Sequence, residues 1–376
     1  MFTPQVEIQL LAMVVAAVCA LPGVFLLLRE MAMMSDAISH AILPGIVVGF
    51  FLTGNINSPL LLIMATLAGL LTVALVEAIY RTGLVKEDAA IGIVFPALFS
   101  VGVILIAYYA GDVHLDTDAV LLGEIAFAPF DRWVVGGVDL GPQSLYVMGA
   151  VGVINAAFIA VFYKELKLAT FDAGLAAAFG FLPTVLHYVL MGLVSMTAVA
   201  AFDAVGSILV IALMVGPPAT AHLLTDRLPQ MIGLSIGVGI VSALSGYWVA
   251  RVLDASIAGA MAAMVGLCFA LAFLLAPERG LLAQWQRRRQ QRWTFATQML
   301  TIHLVNHEGT PHEPRESRVA HLQEHLGWTP DKAHRVVRQA VKDNLVRRTN
   351  GHLTLTESGR QFADRSVTHL QADHSR

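Results

Sequence analysis

The chain has 376 residues, 56% of them hydrophobic and only 14% charged, with a net charge of −3. Soluble domains carry about 25% charged residues, so this composition excludes an ordinary soluble domain and points to the membrane. The charge is also split: residues 1–277 hold 8 Lys/Arg against 17 Asp/Glu, whereas 278–376 hold 16 against 10 together with nine of the 13 histidines. Such asymmetry suggests two units in two solvents.

A membrane span needs roughly 20 apolar residues. In chain order, nine runs qualify: 6–28, 36–53, 58–80, 89–111, 143–163, 184–202, 204–224, 230–250 and 256–276. The first lacks a basic leader and a small-residue cleavage site, so it reads as a retained span. Cys19 and Cys268 both sit in apolar runs, and no disulfide framework is implied. With the N-terminus outside, the inner loops hold Arg29, Arg81, Lys86, Lys164, Lys167 and Arg227 and the outer loops only Arg132 and Arg251, as the excess of cations on the cytoplasmic side requires. The last span then ends inside, facing the basic stretch 278–292, which anionic inner-leaflet lipid favours.

Within the second run, "DAISHAIL" places Asp36 and His40 at i and i+4, one face of a helix. An ionisable residue at membrane depth is by default functional or paired. Imidazole with carboxylate, and no nearby thiol, suits a divalent ion such as manganese, zinc or iron. The other reading makes Asp36 a helix cap and His40 a hydrogen-bonding core residue. Pro44-Gly45 breaks the helix soon after, as in transporters whose helices are interrupted near ligand sites. Glu77 pairs with Arg81 at i+4 in a structural role, and His187 and His222 read as lone histidines of apolar segments.

Two segments between spans stand apart. Residues 112–142 carry most of the acidic excess outside, including an alternating His114, Asp116, Asp118. Residues 164–184 lie inside, and 172–180 reads as a short amphipathic helix ending at Gly180 ahead of Pro183. Asp203 marks a tight outer turn between two spans, and Pro217-Pro218 implies a kink that frees backbone carbonyls.

From Trp293 the pattern becomes that of a soluble domain. Helices are predicted over 293–306 and 317–327, and a third opens with Thr329 as N-cap and Pro330 at its first position. Ala333, Val336, Val337, Ala340, Val341 and Leu345 form its apolar face. Asn350-Gly351 between two short strands signals a hairpin, and a last helix closes the chain. The expected architecture is thus an all-α polytopic membrane domain of about nine helices (1–277), a basic linker (278–292) and a small cytoplasmic α+β winged-helix domain (293–376). The exposed basic residues of its third helix, Lys332, Arg335, Arg338 and Lys342, fit phosphate contact, but tethering to the membrane makes nucleic acid an unexpected partner. No G-x-x-x-x-G-K-[ST] loop, H-E-x-x-H or nucleophile elbow occurs, so the chain is expected not to be an enzyme, and ATP hydrolysis would come from a partner.

The stretches "GVFLLLREMAMMSDAISHAILPGIVVGFFL", "EDAAIGIVFPALFSVGVIL", "HLDTDAVLLGEIAF" and "VGSILVIALMVGPPATAHLL" resemble the permease subunits of bacterial manganese/zinc/iron ABC importers. The resemblance covers 1–277 and is carried by S-H-x-x-L-P-G (Ser39 to Gly45) and by the Gly206 to Ala221 element. It implies a permease dimer in the bacterial inner membrane, homo- or heterodimeric, with cytoplasmic ATP-binding subunits and an extracytoplasmic metal-binding protein. It also implies that Asp36 and His40 coordinate the transported ion, that Asp118 completes the site, and that the segment containing Asp172, Ala173, Gly174 and Gly180 docks on the ATPase. No covalently bound cofactor is implied. The tail resembles the DNA-binding half of iron-dependent metalloregulators, and His369 and Asp373 match a regulator metal-site helix, H-x-x-x-E, with Asp in place of Glu. Two rivals follow: an ion-coupled secondary carrier, and a membrane-tethered metal-responsive regulator.

Overall fold

The structure, a computed structural model, describes residues 3–54, 58–109, 125–135 and 138–373. It divides into two compact units, 1–280 and 281–376.

In the first unit, nine candidate spans are found among the described residues. The first is α1 (Pro4–Leu28). The second is two short helices, α2 (Ala32–Ala41) and α3 (Leu43–Thr53). Then come α4 (Pro59–Tyr80), α5 (Glu87–Tyr109), α6 (Gln143–Val161), α9 (Pro183–Val205), α10 (Ser207–Leu224), α11 (Leu228–Leu253) and α12 (Ile257–Leu275). All nine predicted runs are therefore helical. One boundary differs: α9 continues past Asp203 to Val205, and the turn falls at Gly206, whose φ of +81° suits a residue without Cβ. Asp203 sits in the last turn of the helix rather than in the turn itself.

Burial sorts the helices. The central windows of α1, α9 and α10 are 67%, 56% and 50% buried, whereas α5, α6 and α12 are each 22% buried. The first three form the interior of the unit, and the others present Val103, Ile104, Val153, Leu271 and similar apolar side chains outward, as lipid requires. The interior is sealed by close backbone approach. A Cβ added at Gly23 would lie 2.0 Å from the carbonyl oxygen of Met214. That carbonyl is one of those freed by the prolines: Pro218, four residues on, has no N–H to donate to it. The expected kink does not interrupt α10, which runs unbroken through Pro217 and Pro218.

Between α5 and α6 the described residues form a short 3-10 turn (Ile125–Phe130) and an antiparallel hairpin, β1 (Arg132–Val135) with β2 (Val138–Pro142). Arg132 holds the hairpin to α1, with Nη1 3.2 Å from buried Glu7 and Nε 2.5 Å from Asp139. Between α6 and α9 lie two short helices, α7 (Tyr163–Phe171) and α8 (Ala173–Ala178).

The second unit begins with one long helix, α13 (Leu281–His307), so residues 281–292 form its first turns. A single turn α14 (Glu313–Glu316), α15 (Val319–His325), α16 (Pro330–Lys342), a hairpin of β3 (Val346–Thr349) with β4 (His352–Leu355), and α17 (Glu357–Asp373) follow. Thr329 occupies the cap position of α16 and Pro330 its first turn, but the Thr329 hydroxyl makes no capping hydrogen bond. Asn350 and Gly351 both adopt positive φ, +50° and +84°, the geometry of the tight turn expected there. The core joins Ala296, Leu300 and Leu304 of α13 to Leu322, Trp328, Ala333, Val336, Val337, Ala340, Val346 and Leu353. Val341, expected on this face, is exposed, because the buried stripe of α16 already closes with Ala340.

Candidate functional site

The pair that the sequence singles out lies on α2. Met34, Ser35, Ala37, Ile38, Ser39 and Ala41 are buried, which fixes the face by which α2 packs into the unit. Asp36 and His40 occupy the remaining face, with His40 Nε2 3.4 Å from Asp36 Oδ1 and side-chain exposures of 28% for His40 and 40% for Asp36. Phe95 of α5 flanks the imidazole, ring centroids 5.8 Å apart. Ser35 and Ser39 turn inward and donate to backbone carbonyls of their own helix, Ala32 and Ser35 respectively. They are therefore spent on local bonds, and the side chains left to this face are Asp36 and His40.

The helix break has a specific cause. α2 ends at Ala41, Ile42 forms the joint, and Pro44 lies in the first turn of α3. A proline at 44 cannot donate to the carbonyl of residue 40, so the helical bond from residue 44 to residue 40 cannot form. Gly45 then lets α3 close on α4, because a Cβ there would lie 2.4 Å from the Met64 carbonyl oxygen. Carboxylate and imidazole share one partly exposed face, a pair of donors that an oxygen- and nitrogen-seeking divalent ion can use.

At the end of the bundle carrying Arg29, a second polar group forms that the sequence reading did not foresee. Glu77 of α4 has Oε1 2.7 Å from His187 Nε2, an ion-pair contact, and its Oε2 accepts from Tyr188 at 2.7 Å and Arg81 at 3.2 Å. The predicted Glu77–Arg81 pair is thus present but is a minor part of the group. Arg29, just past α1, lies 3.2 Å from His187 Nδ1 and donates to the Thr170 hydroxyl of α7 at 3.2 Å. His187 is accordingly not a lone histidine: it is the middle of a chain from α4 through α9 to α1 and α7. Sequence separations of 110 (Glu77 to His187) to 158 residues (Arg29 to His187) hid it. His222, the other histidine read as lone, meets Arg279, which also pairs with Asp226.

The segment between α6 and α9 contains the short helix expected over 172–180, as α8, preceded by a helix that was not expected, α7. Asp172 separates the two: its backbone is extended, and its Oδ1 accepts the Leu175 N–H at 2.8 Å, so it caps α8. Gly180, at φ +84°, closes α8. Ala173 and Gly174 form the exposed first turn. Phe171, Leu175, Phe179 and Leu182 are all exposed, from 45% to 69%, an apolar strip on a segment that links two spans.

Asp118, with His114 and Asp116, lies outside the described residues. The side chains of His369 and Asp373, in the last turns of α17, do too.

Comparison with known proteins bears on residues 6–277, which match the model of the ABC 3 transport family. The chain is 46% identical over 357 residues to the zinc transport system membrane protein TroD of Treponema pallidum, covering 95% of this chain and 97% of that protein. It is 49% identical over 266 residues to the manganese transport system membrane protein MntD of Bacillus subtilis, covering 71% and 90%. Among solved structures, PsaBC from Streptococcus pneumoniae in complex with Fab matches with a TM-score of 0.61 at 30% identity, over 74% of this chain and 94% of that one.

Proposed function

The chain belongs to the ABC 3 transport family, and from that premise we propose that it is the membrane permease of an ATP-driven importer of a divalent first-row metal ion. It is a transport subunit and not an enzyme; ATP is hydrolysed by a separate subunit. Manganese is the first reading of the cargo, supported by the MntD likeness, and zinc the second, supported by TroD. Iron is the third and has no support from the relatives named above.

The observation that carries the site is the Asp36–His40 face. On one chain it is partly exposed at membrane depth, where an uncovered charge is costly. A second permease subunit across this face, as the likeness to PsaBC supports, would cover it and add its own donors. Each subunit then supplies few ligands, so the ion is desolvated on entry yet free to leave. Asp118 is the proposed outer contributor. An extracytoplasmic metal-binding protein delivers the ion, and the C-terminal unit lies in the cytoplasm.

Motion enters through residues 163–182. Their exposed apolar strip fits a groove on the ATP-binding subunit, and Asp172, Ala173, Gly174 and Gly180 shape the helix that docks. The Thr170–Arg29–His187–Glu77 chain then ties α7, which leads into that helix, to α1, α4 and α9. The second unit is read as a winged-helix arrangement, supported by its helix pair, hairpin and exposed basic residues, with His369 and Asp373 as candidate regulatory ligands.

The test is uptake by the assembled importer in proteoliposomes. Metal should enter only with ATP and the ATP-binding subunit, and Asp36→Ala or His40→Ala should each abolish entry while the complex still assembles. Wild-type uptake by either variant removes the site; uptake by this chain alone on an ion gradient favours the secondary carrier.

A further inference from the structure

Glu316, the last residue of α14, sits between two helices that each carry two histidines one turn apart. His303 and His307 lie on α13, and His321 and His325 on α15. His303 Nε2 is 3.4 Å and His325 Nδ1 3.9 Å from Glu316 Oε2, while His321 Nε2 is 3.0 Å from Oε1. One donor atom each of His303, His307 and Glu316 lies within 4.8 Å of the others, and the same holds for Glu316, His321 and His325. The rings of His303 and His307 are 4.6 Å apart and those of His303 and His325 5.2 Å.

Three features favour a metal over a simple ion pair. One carboxylate can neutralise one imidazolium, yet four imidazoles converge on Glu316; of these His303 donates from Nε2 to the Glu316 carbonyl at 3.3 Å, so that ring would turn to offer a lone pair to an ion. Among the described residues Glu316 Oε2 is buried and accepts no hydrogen bond, an unfavourable state for a charged oxygen with nothing to bind. The Nδ1 of His307 lies 2.8 Å from the His303 carbonyl. A carbonyl only accepts, so the ring proton sits on Nδ1 and the Nε2 lone pair is free, the tautomer that metal ligation selects. Donors around a tetrahedral ion with bonds near 2.1 Å are about 3.4 Å apart, so the cluster needs only side-chain adjustment to close on one. Side-chain exposure grades from 5% at His303 to 51% at His325, giving buried ligands and an open entry.

We propose that this cluster is a divalent metal site centred on Glu316, with imidazoles from both flanking helices. Nitrogen and carboxylate donors without thiolate select a borderline ion, zinc above manganese. The site shares no residue with the Asp36–His40 pair, and it stands whether or not the transport reading does. Occupied, it would clamp α13, α14 and α15 together, so the stability of the second unit would follow cytoplasmic zinc.

The test uses the full-length chain, purified in detergent and stripped with chelator. It is titrated with Zn²⁺ against a chromogenic competitor and with Co²⁺ read by its visible absorption. Wild type should bind one equivalent more than Glu316→Gln, and Asp36→Ala/His40→Ala should retain that equivalent. His325→Asn removes a half-exposed ligand without disturbing the core, and should weaken that equivalent by about tenfold or more, the scale on which even outer-shell changes act. If Glu316→Gln fails to fold, His325→Asn and His321→Asn decide. Equal zinc binding by wild type and the folded variants, or loss of the cobalt band in Asp36→Ala/His40→Ala alone, would overturn the proposal.

Discussion

Asp36 and His40 were legible because helical spacing is a local property: four residues apart, they had to share a face whatever the fold. The His187 group was invisible for the converse reason. Glu77, His187, Arg29 and Thr170 meet only when α4, α9, α1 and α7 pack, and nothing in the flanking sequence of any of them signals the others. The group is also where a single atom matters most. Glu77 has 16% side-chain exposure and neutralises Arg81 on one side and orders His187 and Tyr188 on the other. Glu77→Gln keeps the shape and removes the charge. The buried donors then lose part of their partner, at a cost on the order of 1–3 kcal/mol. The expected outcome is an importer that assembles and hydrolyses ATP but moves less metal per ATP, with His187→Ala acting in the same direction. Uptake and hydrolysis measured together check this; an unchanged ratio in both variants would make the group purely structural. The two H-x-x-x-H pairs at 303/307 and 321/325 were likewise in plain view, but their meeting at Glu316 depends on the turn that α14 makes.

Element boundaries were predicted well where an apolar run ended in charge and less well where a backbone conformation decided. Asp203 looked like a break and is not one, because Gly206 supplies the left-handed turn. Asp172 opens the short helix where the sequence placed it, as the cap of α8, but the helix that it ends, α7, carried no boundary signal of its own. The coupling segment can be tested on that basis. At Gly180 a β-branched residue must enter the left-handed region, at about 1–2 kcal/mol, whereas asparagine enters it more cheaply. Gly180→Val should therefore uncouple ATP hydrolysis from uptake and Gly180→Asn should largely preserve coupling. Equal coupling in both would count against a role for this turn.

In the second unit, α17 is held to the end of α13 by Arg360, whose Nη2 and Nε lie 2.7 and 3.1 Å from the two oxygens of Glu308. Those hydrogen bonds hold the Glu308 carboxyl below its ordinary range. A lowered folded-state value means that the contact stabilises fully above the ordinary glutamate range, near pH 4.3, and is lost as pH falls through the lowered value. Amide hydrogen exchange in α17 should thus rise on acidification in wild type beyond the change in Arg360→Ala, which lacks the contact at every pH. Identical acid responses would remove the pair as a determinant.

At the scale of the whole chain, two units with opposite charge and separate cores suggest separable tasks. The match to MntD spans 71% of this chain but 90% of that protein, so a relative of nearly the length of the matched part is a manganese transport system membrane protein by name. TroD, by contrast, matches over 95% of this chain, so the length beyond the spans is shared with at least one relative and is not peculiar to this sequence. Transport chemistry should then reside in 1–280 and the second unit should add to it. The place to cut follows from the helix: α13 runs unbroken from Leu281, so truncation at 293 would leave a basic helical stub, whereas truncation after Gly280 removes the unit whole. The truncated permease, assembled with its ATP-binding subunit, should retain ATP-driven uptake blocked by Asp36→Ala, and should lack the zinc equivalent that depends on Glu316. Zinc supplied to the side of the membrane that carries the second unit should then alter uptake by the full chain and leave the truncated chain unaffected. If truncation instead abolishes uptake while the spans still assemble, the two units act as one machine, and the tail must be placed inside the transport cycle.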